Sequence, residues 1–338
     1  MIYSRIEGTG HHLPEKILTN ADLEKMVETS DEWIKTRTGV ERRHIASEDE
    51  STSSIGIKAA QKAISDANIS KDDIDLIVVG TTTPDYVFPN TATLIQEGLG
   101  IHGCPAFSLE AACSGFVYAM STADKFLKSG GYKCVLVIGA EVMTRLIDWE
   151  DRSTCVLFGD GAGAVILKPS SDQGIIDCQL GADGKYKDLL WYPAGVSKNF
   201  EKLGGNEVNL EMIGNDVFKV AVKTLGSVAE ETLKNNNIKK DELDWLVPHQ
   251  ANLRIIQATA KRLELPIEKV ILTVQDHGNT SSASIPMALD VGIKDGRTEK
   301  TDTDTEMKTC KKCFHKCHCD DGLHADEYGL CTCEECKC

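Results

Sequence analysis

The chain has 338 residues, enough for two core-forming units. Its 37 basic and 52 acidic side chains give a net charge of −15, which argues against non-specific binding to nucleic acid or an anionic membrane. No apolar run approaches the roughly 18 residues needed to span a bilayer, and MIYSRIEGTG lacks a signal-peptide pattern, so a soluble cytoplasmic protein is expected.

In the first half, SSIGIKAAQKAISDA (53–67) carries apolar residues every three to four positions, as a core-facing helix requires. LIVVG (76–80), CVLVIGA (134–140) and GAVILK (163–168) have the length and continuous apolarity of strands covered on both faces. Cys113 lies in LEAACSGFVYAM, where the helix SGFVYAMSTADKFLKSG begins. A thiol there gains from the positive end of the helix dipole and from free backbone N–H groups, both of which favour thiolate. Its small neighbours Ala111, Ala112, Ser114 and Gly115 admit a substrate carbonyl; the plain alternative is a buried structural cysteine. Cys104, Cys134, Cys155 and Cys178 lack this setting and read as core or inert thiols.

The second half repeats the first. NISKDDIDLIVVG (68–80) matches NIKKDELDWLVPH (237–249) at six of thirteen positions, an offset of 237 − 68 = 169, and an amphipathic helix precedes each copy. Chance likeness between two Asp-rich loops is the competing explanation. His249 follows the predicted strand LDWLV and so lies at the carboxyl rim where α/β proteins place ligands, or merely satisfies a loop. On the helix after it, Arg254, Lys261 and Arg262 share one face, which suits an acidic partner or simply a solvated surface. Asn279, in HGNTSSASIP, opens the helix TSSASIPMALDVGIKDG at an offset of 279 − 113 = 166 from Cys113, and could be a plain helix cap.

By symmetry, an apolar strand should start near residue 300, with another to follow. The chain instead reads TEKTDTDTEMKTCKKC, an acidic linker-like stretch. Residues 298–338 hold only six non-cysteine apolar residues: Met307, Phe314, Leu323, Ala325, Tyr328 and Leu330. That composition does not build two buried strands. Of the 13 cysteines, eight fall here, as Cys310-x2-Cys313-x3-Cys317-x-Cys319 and Cys331-x-Cys333-x2-Cys336-x-Cys338. With His315, His318 and His324 nearby, they fit two tetrahedral zinc sites or one thiolate cluster that also takes Cu(I). In a reducing compartment metal is favoured over disulfides, and the C-x-C pairs resemble metallothionein-type sequences. Cysteines without a metal role remain the alternative.

Together, LEAACSGFVYAM, VPHQANLRII and HGNTSSASIP resemble the active site of the ketoacyl synthase III enzymes of the thiolase superfamily, and the resemblance runs from Met1 to about Arg297. It implies an α/β thiolase fold: two similar βαβαβαββ halves in α/β/α/β/α layers, here with the second half incomplete and a Cys-rich irregular tail. The expected divisions are 1–170, 171–297 and the tail 298–338. The resemblance makes Cys113, His249 and Asn279 a catalytic triad that needs no cofactor. The cysteine takes an acyl group from acyl-CoA. The histidine and asparagine bind the thioester carbonyl of malonyl-acyl carrier protein and stabilise the enolate formed as CO₂ leaves.

Other roles follow from the same likeness. Trp33 and Arg37 in DEWIKTRTG and Arg152 in WEDRSTC match residues that hold the CoA adenine and phosphates. Gly214 and Phe218 in IGNDVFK, with Ala251 and Asn252, match the pantetheine tunnel. Phe88 in PDYVFPN matches the ring that crosses a homodimer interface to floor the partner's acyl pocket, and Arg254, Lys261 and Arg262 match a docking face for acyl carrier protein. The family's closing glycine-rich loop, one of whose N–H groups completes the oxyanion hole at the cysteine, has no counterpart here. Losing one such donor costs about 10²–10³ in rate. Two other readings stand beside this one: an impaired scaffold whose tail binds zinc or copper, and a related condensing enzyme of polyketide or quinolone type.

Overall fold

Five stretches become one mixed sheet: β1 (Tyr3–His12), β2 (Leu76–Gly80), β3 (Ala106–Leu109), β4 (Val135–Val142) and β5 (Asp160–Ser170), in spatial order β1-β5-β4-β2-β3. β2 runs parallel to both β3 and β4, while β5 is antiparallel to β4 and β1. This computed structural model describes residues 2–203 and 208–298, and beyond them only a short backbone pairing of Ala325–Asp326 with Gly329–Leu330. Met1–Lys300 form one compact unit and Thr301–Cys338 another.

Every residue of β2 and β4 is buried, the reason these stretches are continuously apolar rather than alternating. Side chains of odd and even positions go to opposite faces. Ile77, Val79, Leu136 and Ile138 meet α2 (Thr52–Asp66) and α3 (Thr91–Leu99) through Ile55, Ala59, Ala63 and Ile95. Leu76, Val78, Val135 and Val137 meet α4 (Gly115–Lys128) and α7 (Ser284–Lys294) through Phe116, Ala119, Ile285 and Leu289. Burying a side chain of this size contributes roughly 1.5–3 kcal/mol. α7 belongs to the second half of the chain yet covers the first half's sheet, so the two halves share their central helical layer. The other helices of eight or more residues among the described ones are α1 (Asp31–Thr38), α5 (Gly214–Asn235) and α6 (Leu253–Arg262), with single turns at Asn20–Leu23, Arg152–Cys155 and Val274–His277.

The duplication is visible in the backbone. α2 and α5 end at Asp66 and Asn235; left-handed Asn68 and Asn237 follow them; 3-10 turns at Lys71–Asp73 and Lys240–Glu242 come next. Farther on, left-handed Ala112 and Ser281 open the 3-10 turns Ala112–Ser114 and Ser281–Ala283, which lead into α4 and α7. Each pair is separated by 169, for example 281 − 112. The 166 offset between Cys113 and Asn279 is therefore not the structural correspondence. Backbone geometry pairs Cys113 with Ser282, and Asn279 with Glu110.

The second half forms no sheet comparable to the first among the described residues. The predicted strand LDWLV contributes a single parallel bridge, Leu246 with Val270. Leu190–Trp191 pair with Glu211–Met212 over two residues, and Gly195–Lys198 and Phe158–Asn279 make single bridges. β4 and the start of β5 would repeat at 304–311 and from 329, where the chain reads DTEMKTCK and GLCTCEECKC, almost all of it outside the described residues. A strand persists only when neighbours satisfy its N–H and C=O groups. α5 shows the same loss. It buries only Gly226 and leaves Leu225 and Val228 exposed, whereas its counterpart α2 buries a full face.

Candidate active site

Cys113 sits in the middle of the Ala112–Ser114 turn, just before α4. Ala112 takes φ +44°, a conformation that costs a non-glycine residue about 1–3 kcal/mol and is held by its surroundings. Glu110 Oε1 accepts the Ala112 N–H at 2.9 Å. The second half builds the same device: Ser281 takes φ +49°, and Asn279 Oδ1 accepts the Ser281 N–H at 2.9 Å. That bond fixes the Asn279 carboxamide, whose Nδ2 is left without a hydrogen-bond partner among the described residues.

Two glycines let these turns meet. A Cβ on Gly80 would lie 2.4 Å from the carbonyl carbon of Gly115, and one on Gly139 would lie 2.5 Å from the Ser282 oxygen. Only bare backbone there allows α4 and the 279–284 segment to press onto β2 and β4. Ser282 Oγ then lies 2.9 Å from the Gly80 carbonyl.

The 279–284 segment gathers all three candidate residues. Asn279 is part of it. Ser281 contacts the Cys113 thiol through its hydroxyl. Ser284 Oγ lies 2.6 Å from His249 Nδ1 and accepts the Gln250 N–H at 3.3 Å. In the tautomer that carries its proton on Nε2, the Ser284 hydroxyl donates to Nδ1. Desolvation pushes the His249 pKa down to about 4, so the imidazole is neutral at pH 7 and offers a neutral N–H donor.

Desolvation, with a smaller contribution from nearby Glu141, pushes the Cys113 thiol up to about 11, against the opposing Ser281 hydroxyl. The sequence expectation of a thiolate favoured by the helix end is thus corrected. Cys113 precedes the first full helical turn, and loss of water outweighs a half-charge dipole. Among the other thiols, Cys134 and Cys155 are buried and their pKa values are likewise raised to about 11, as inert core cysteines require. Cys178 is partly buried, and Cys104 Sγ accepts from Gln96 Nε2 at 3.2 Å.

Sequence reasoning missed the group at the centre of this constellation, Glu141, along with Ser281, Ser284 and Glu110. A glutamate inside the apolar run VLVIGAEV was the available signal, because a buried carboxyl is rare unless its bonds are satisfied.

The residues expected to hold CoA lie around Trp33 on α1. The Arg152 guanidinium is 4.7 Å from the Trp33 ring centroid and Arg37 is 6.0 Å away. Arg152 also donates to the Glu28 carbonyl and lines an open cleft of about 510 Å³ with Met26, Val27 and Glu150. At 4.7 Å the guanidinium and indole are in direct contact, so a purine enters by parting them. Asn252 caps α6, accepting from Arg254 N at 2.9 Å and donating to the Arg37 carbonyl at 3.1 Å. Ala251 is half-buried beside it. Gly214 opens α5, and Phe218, one turn on, carries the Arg254 guanidinium 5.0 Å over its ring.

The basic face of α6 is less free than the sequence suggests. Arg254 and Lys261 are exposed, but Arg262 pairs with Glu230 at 2.7 Å. Phe88 is 83 % exposed, beside exposed Tyr86 and Val87. No helix among the described residues is long and apolar enough to cross a membrane. Among those residues no cluster of His, Cys, Asp and Glu has metal-site geometry. The tail cysteines Cys310, Cys313, Cys317, Cys319, Cys331, Cys333, Cys336 and Cys338 lie outside the described residues.

Comparison with known proteins identifies the family and the fold. Residues 107–184 match the family model described as 3-oxoacyl-[acyl-carrier-protein (ACP)] synthase III, and residues 233–304 match its C-terminal counterpart. The beta-ketoacyl-[acyl-carrier-protein] synthase III of Thioalkalivibrio sulfidiphilus is 57% identical over 302 residues, covering 89% of this chain and 94% of that protein. That of Xanthomonas campestris is 60% identical over 299 residues, covering 88% and 92%. The crystal structure of the Aquifex aeolicus 3-oxoacyl-[acyl-carrier-protein] synthase III superposes with a TM-score of 0.82 at 47% identity, over 88% of this chain and 93% of that one. A priming β-ketosynthase of the R1128 polyketide pathway superposes equally well, TM-score 0.82, at 37% identity over 88% and 89%. Sequence and fold thus agree over the same nine-tenths of the chain, and the chain belongs to the 3-oxoacyl-[acyl-carrier-protein] synthase III family of the thiolase superfamily.

Proposed function

We propose that the chain catalyses the decarboxylating condensation of a short acyl-CoA, acetyl-CoA or similar, with malonyl-acyl carrier protein in the cytoplasm, the step that starts fatty-acid synthesis. The observation that carries this reading is the 279–284 segment, which bears Asn279 and contacts both Cys113 and His249.

Cys113 attacks the acyl-CoA carbonyl. The thiol proton leaves with CoA, giving acyl-cysteine and free CoA-SH. Malonyl-acyl carrier protein then loses CO₂, and its thioester oxygen becomes an enolate that accepts from His249 Nε2–H and Asn279 Nδ2–H. Both donors are neutral and dry, so they favour developing negative charge without needing a metal or cofactor. The carbanion attacks the acyl-cysteine carbonyl, and the thiolate leaves and recovers a proton. Trp33, Arg37 and Arg152 would bind the CoA nucleotide, with Gly214, Phe218, Ala251 and Asn252 along its pantetheine arm. Arg254 and Lys261, with Arg262 held back by Glu230, would meet the acidic carrier protein.

Phe88 on its exposed loop supports a homodimer in which it enters the partner's acyl pocket. The eight tail cysteines support a zinc or Cu(I) module, on their spacing alone.

The experiment is product formation from acetyl-CoA and malonyl-acyl carrier protein, with Cys113→Ala alongside. A Cys113-dependent 3-oxoacyl product is expected; soluble, folded protein without product overturns the reading. The likeness to the R1128 priming ketosynthase favours one alternative, a polyketide primer role. A panel of acyl-CoA chain lengths separates the two.

A further inference from the structure

Glu141 closes the apolar run of β4 and has no exposure to solvent. Five donors converge on its carboxyl. Thr81 Oγ1 donates at 3.2 Å, Thr82 N at 3.1 Å to each oxygen, and Thr83 Oγ1 at 2.7 Å. Ser281 Oγ and Ser282 Oγ donate at 3.3 and 2.7 Å. Hydroxyls and one backbone N–H, rather than a cation, meet this carboxylate. A core that needed only packing would place an apolar residue here, since a buried charge without a cation is expensive.

The five donors come from both sides of the reacting centre. Ser281 and Ser282 belong to the turn whose N–H holds Asn279 Oδ1. Thr82 belongs to the segment after β2. Its hydroxyl reaches Glu110 Oε1 at 3.2 Å, and the same oxygen accepts the Ala112 N–H next to Cys113. Glu141 is therefore bonded to the asparagine turn directly and to the cysteine turn through Thr82 and Glu110.

We propose that Glu141 is the positioning residue that locks the Cys113 and Asn279 turns to each other, so that the nucleophile and the carbonyl-binding amide keep one spacing. The inference rests on the condensing reading above. It carries an electrostatic cost: the carboxylate faces the Cys113 thiol, with Glu110 the next titratable group beyond Thr82. Burial pushes the Glu141 carboxyl up to about 7, against the pull of its donors.

The test is Glu141→Gln, which keeps the size, removes the charge and turns one oxygen into a donor facing donors. Condensation is expected to fall about tenfold or more in kcat with KM within about twofold, the effect of one or two lost bonds to a buried charge. Alkylation of Cys113 by iodoacetamide at pH 8 is expected to rise by about threefold or more, because the thiol loses a neighbouring negative charge. Loosening of the fold also exposes the thiol, so the melting temperature and the alkylation of the buried Cys134 and Cys155 are followed alongside, and both are expected to stay at their wild-type values. Glu141→Asp keeps the charge with a shorter reach, and guards against a Gln variant that does not fold. Its condensation falls while its alkylation profile stays at the wild-type position. Condensation within about twofold of wild type in both variants, or alkylation falling together with condensation, overturns the proposal. Wild-type protein that makes no product fails the condensing reading on its own account, and alkylation then decides the coupling of Glu141 to Cys113.

Discussion

Ser284 Oγ stands 2.6 Å from His249 Nδ1 while accepting the Gln250 N–H, a contact that holds the imidazole against the segment bearing Asn279. Ser284→Ala removes the hydroxyl that donates to Nδ1 when the proton sits on Nε2, the tautomer the proposed reaction uses. Malonyl-acyl carrier protein decarboxylation should fall by about tenfold with little change in thermal stability. Unchanged turnover in a steady-state assay would show that the tautomer is set by something other than this serine.

Gly139→Ala tests the close approach. The new Cβ meets the Ser282 carbonyl oxygen at 2.5 Å, a backbone atom that cannot rotate away. Destabilisation of about 1–3 kcal/mol is expected from overpacking, seen as a lower denaturation midpoint. Condensation should drop further than the fraction unfolded explains, because the displaced turn carries Asn279. Activity that tracks the folded fraction argues against the turn's role.

Acid should weaken the fold in two windows. His277 is buried with Nδ1 lacking a partner, and burial, with the neighbouring His11 and His44, pushes its pKa down from 6.5 to about 3. The unfolded chain binds that proton first. The neutral form's contribution to stability is complete above pH 6.5 and is lost as pH falls towards 3. Urea midpoints at pH 7 and pH 5 should differ, and His277→Gln should shrink the difference; an unchanged slope counts against this assignment.

The second window belongs to Asp290, whose buried carboxylate is held by His11 Nδ1, Lys294 Nζ at 2.8 Å and Thr9 Oγ1 at 2.6 Å. Although burial opposes ionisation, those partners bring its pKa from 3.8 down to about 2. A depressed carboxylate stabilises above its unfolded pKa, so this contribution disappears between about pH 4 and pH 2. Asp290→Asn, which joins β1 to α7 less firmly, should cost about 2–3 kcal/mol at pH 7. Chemical denaturation measures it.

The tail makes its own prediction. Desalted full-length protein loaded with Zn²⁺ should retain about two equivalents, the number two four-thiolate sites hold. Cys→Ser changes at Cys310, Cys313, Cys317 and Cys319 should remove about half. Metal analysis showing none retained would leave the cysteines without this role.

Local sequence was enough for β2, β4, the core of β5 and the helices α2 and α4. Continuous apolarity in LIVVG and CVLVIGA can be satisfied only by burial on both faces, and the repeat of NISKDDIDLIVVG shows the duplication directly. Cys113, His249 and Asn279 could be picked out as candidates because small residues and strand or helix ends leave a signature in neighbouring letters, and the 279–284 segment carries or contacts all three. Three things were decided only in three dimensions. The true register of the duplication, 169, is written in left-handed backbone at Ala112 and Ser281, which residue identity does not reveal. The thiol's high pKa comes from water exclusion and from Glu141, 28 residues away along the chain (141 − 113). The strand expected in LDWLV shrinks to one bridge, because a strand is a property of its neighbours, and the positions that would supply them carry another composition. Propensity is local, but pairing, dielectric and the meeting of two distant turns depend on the rest of the molecule.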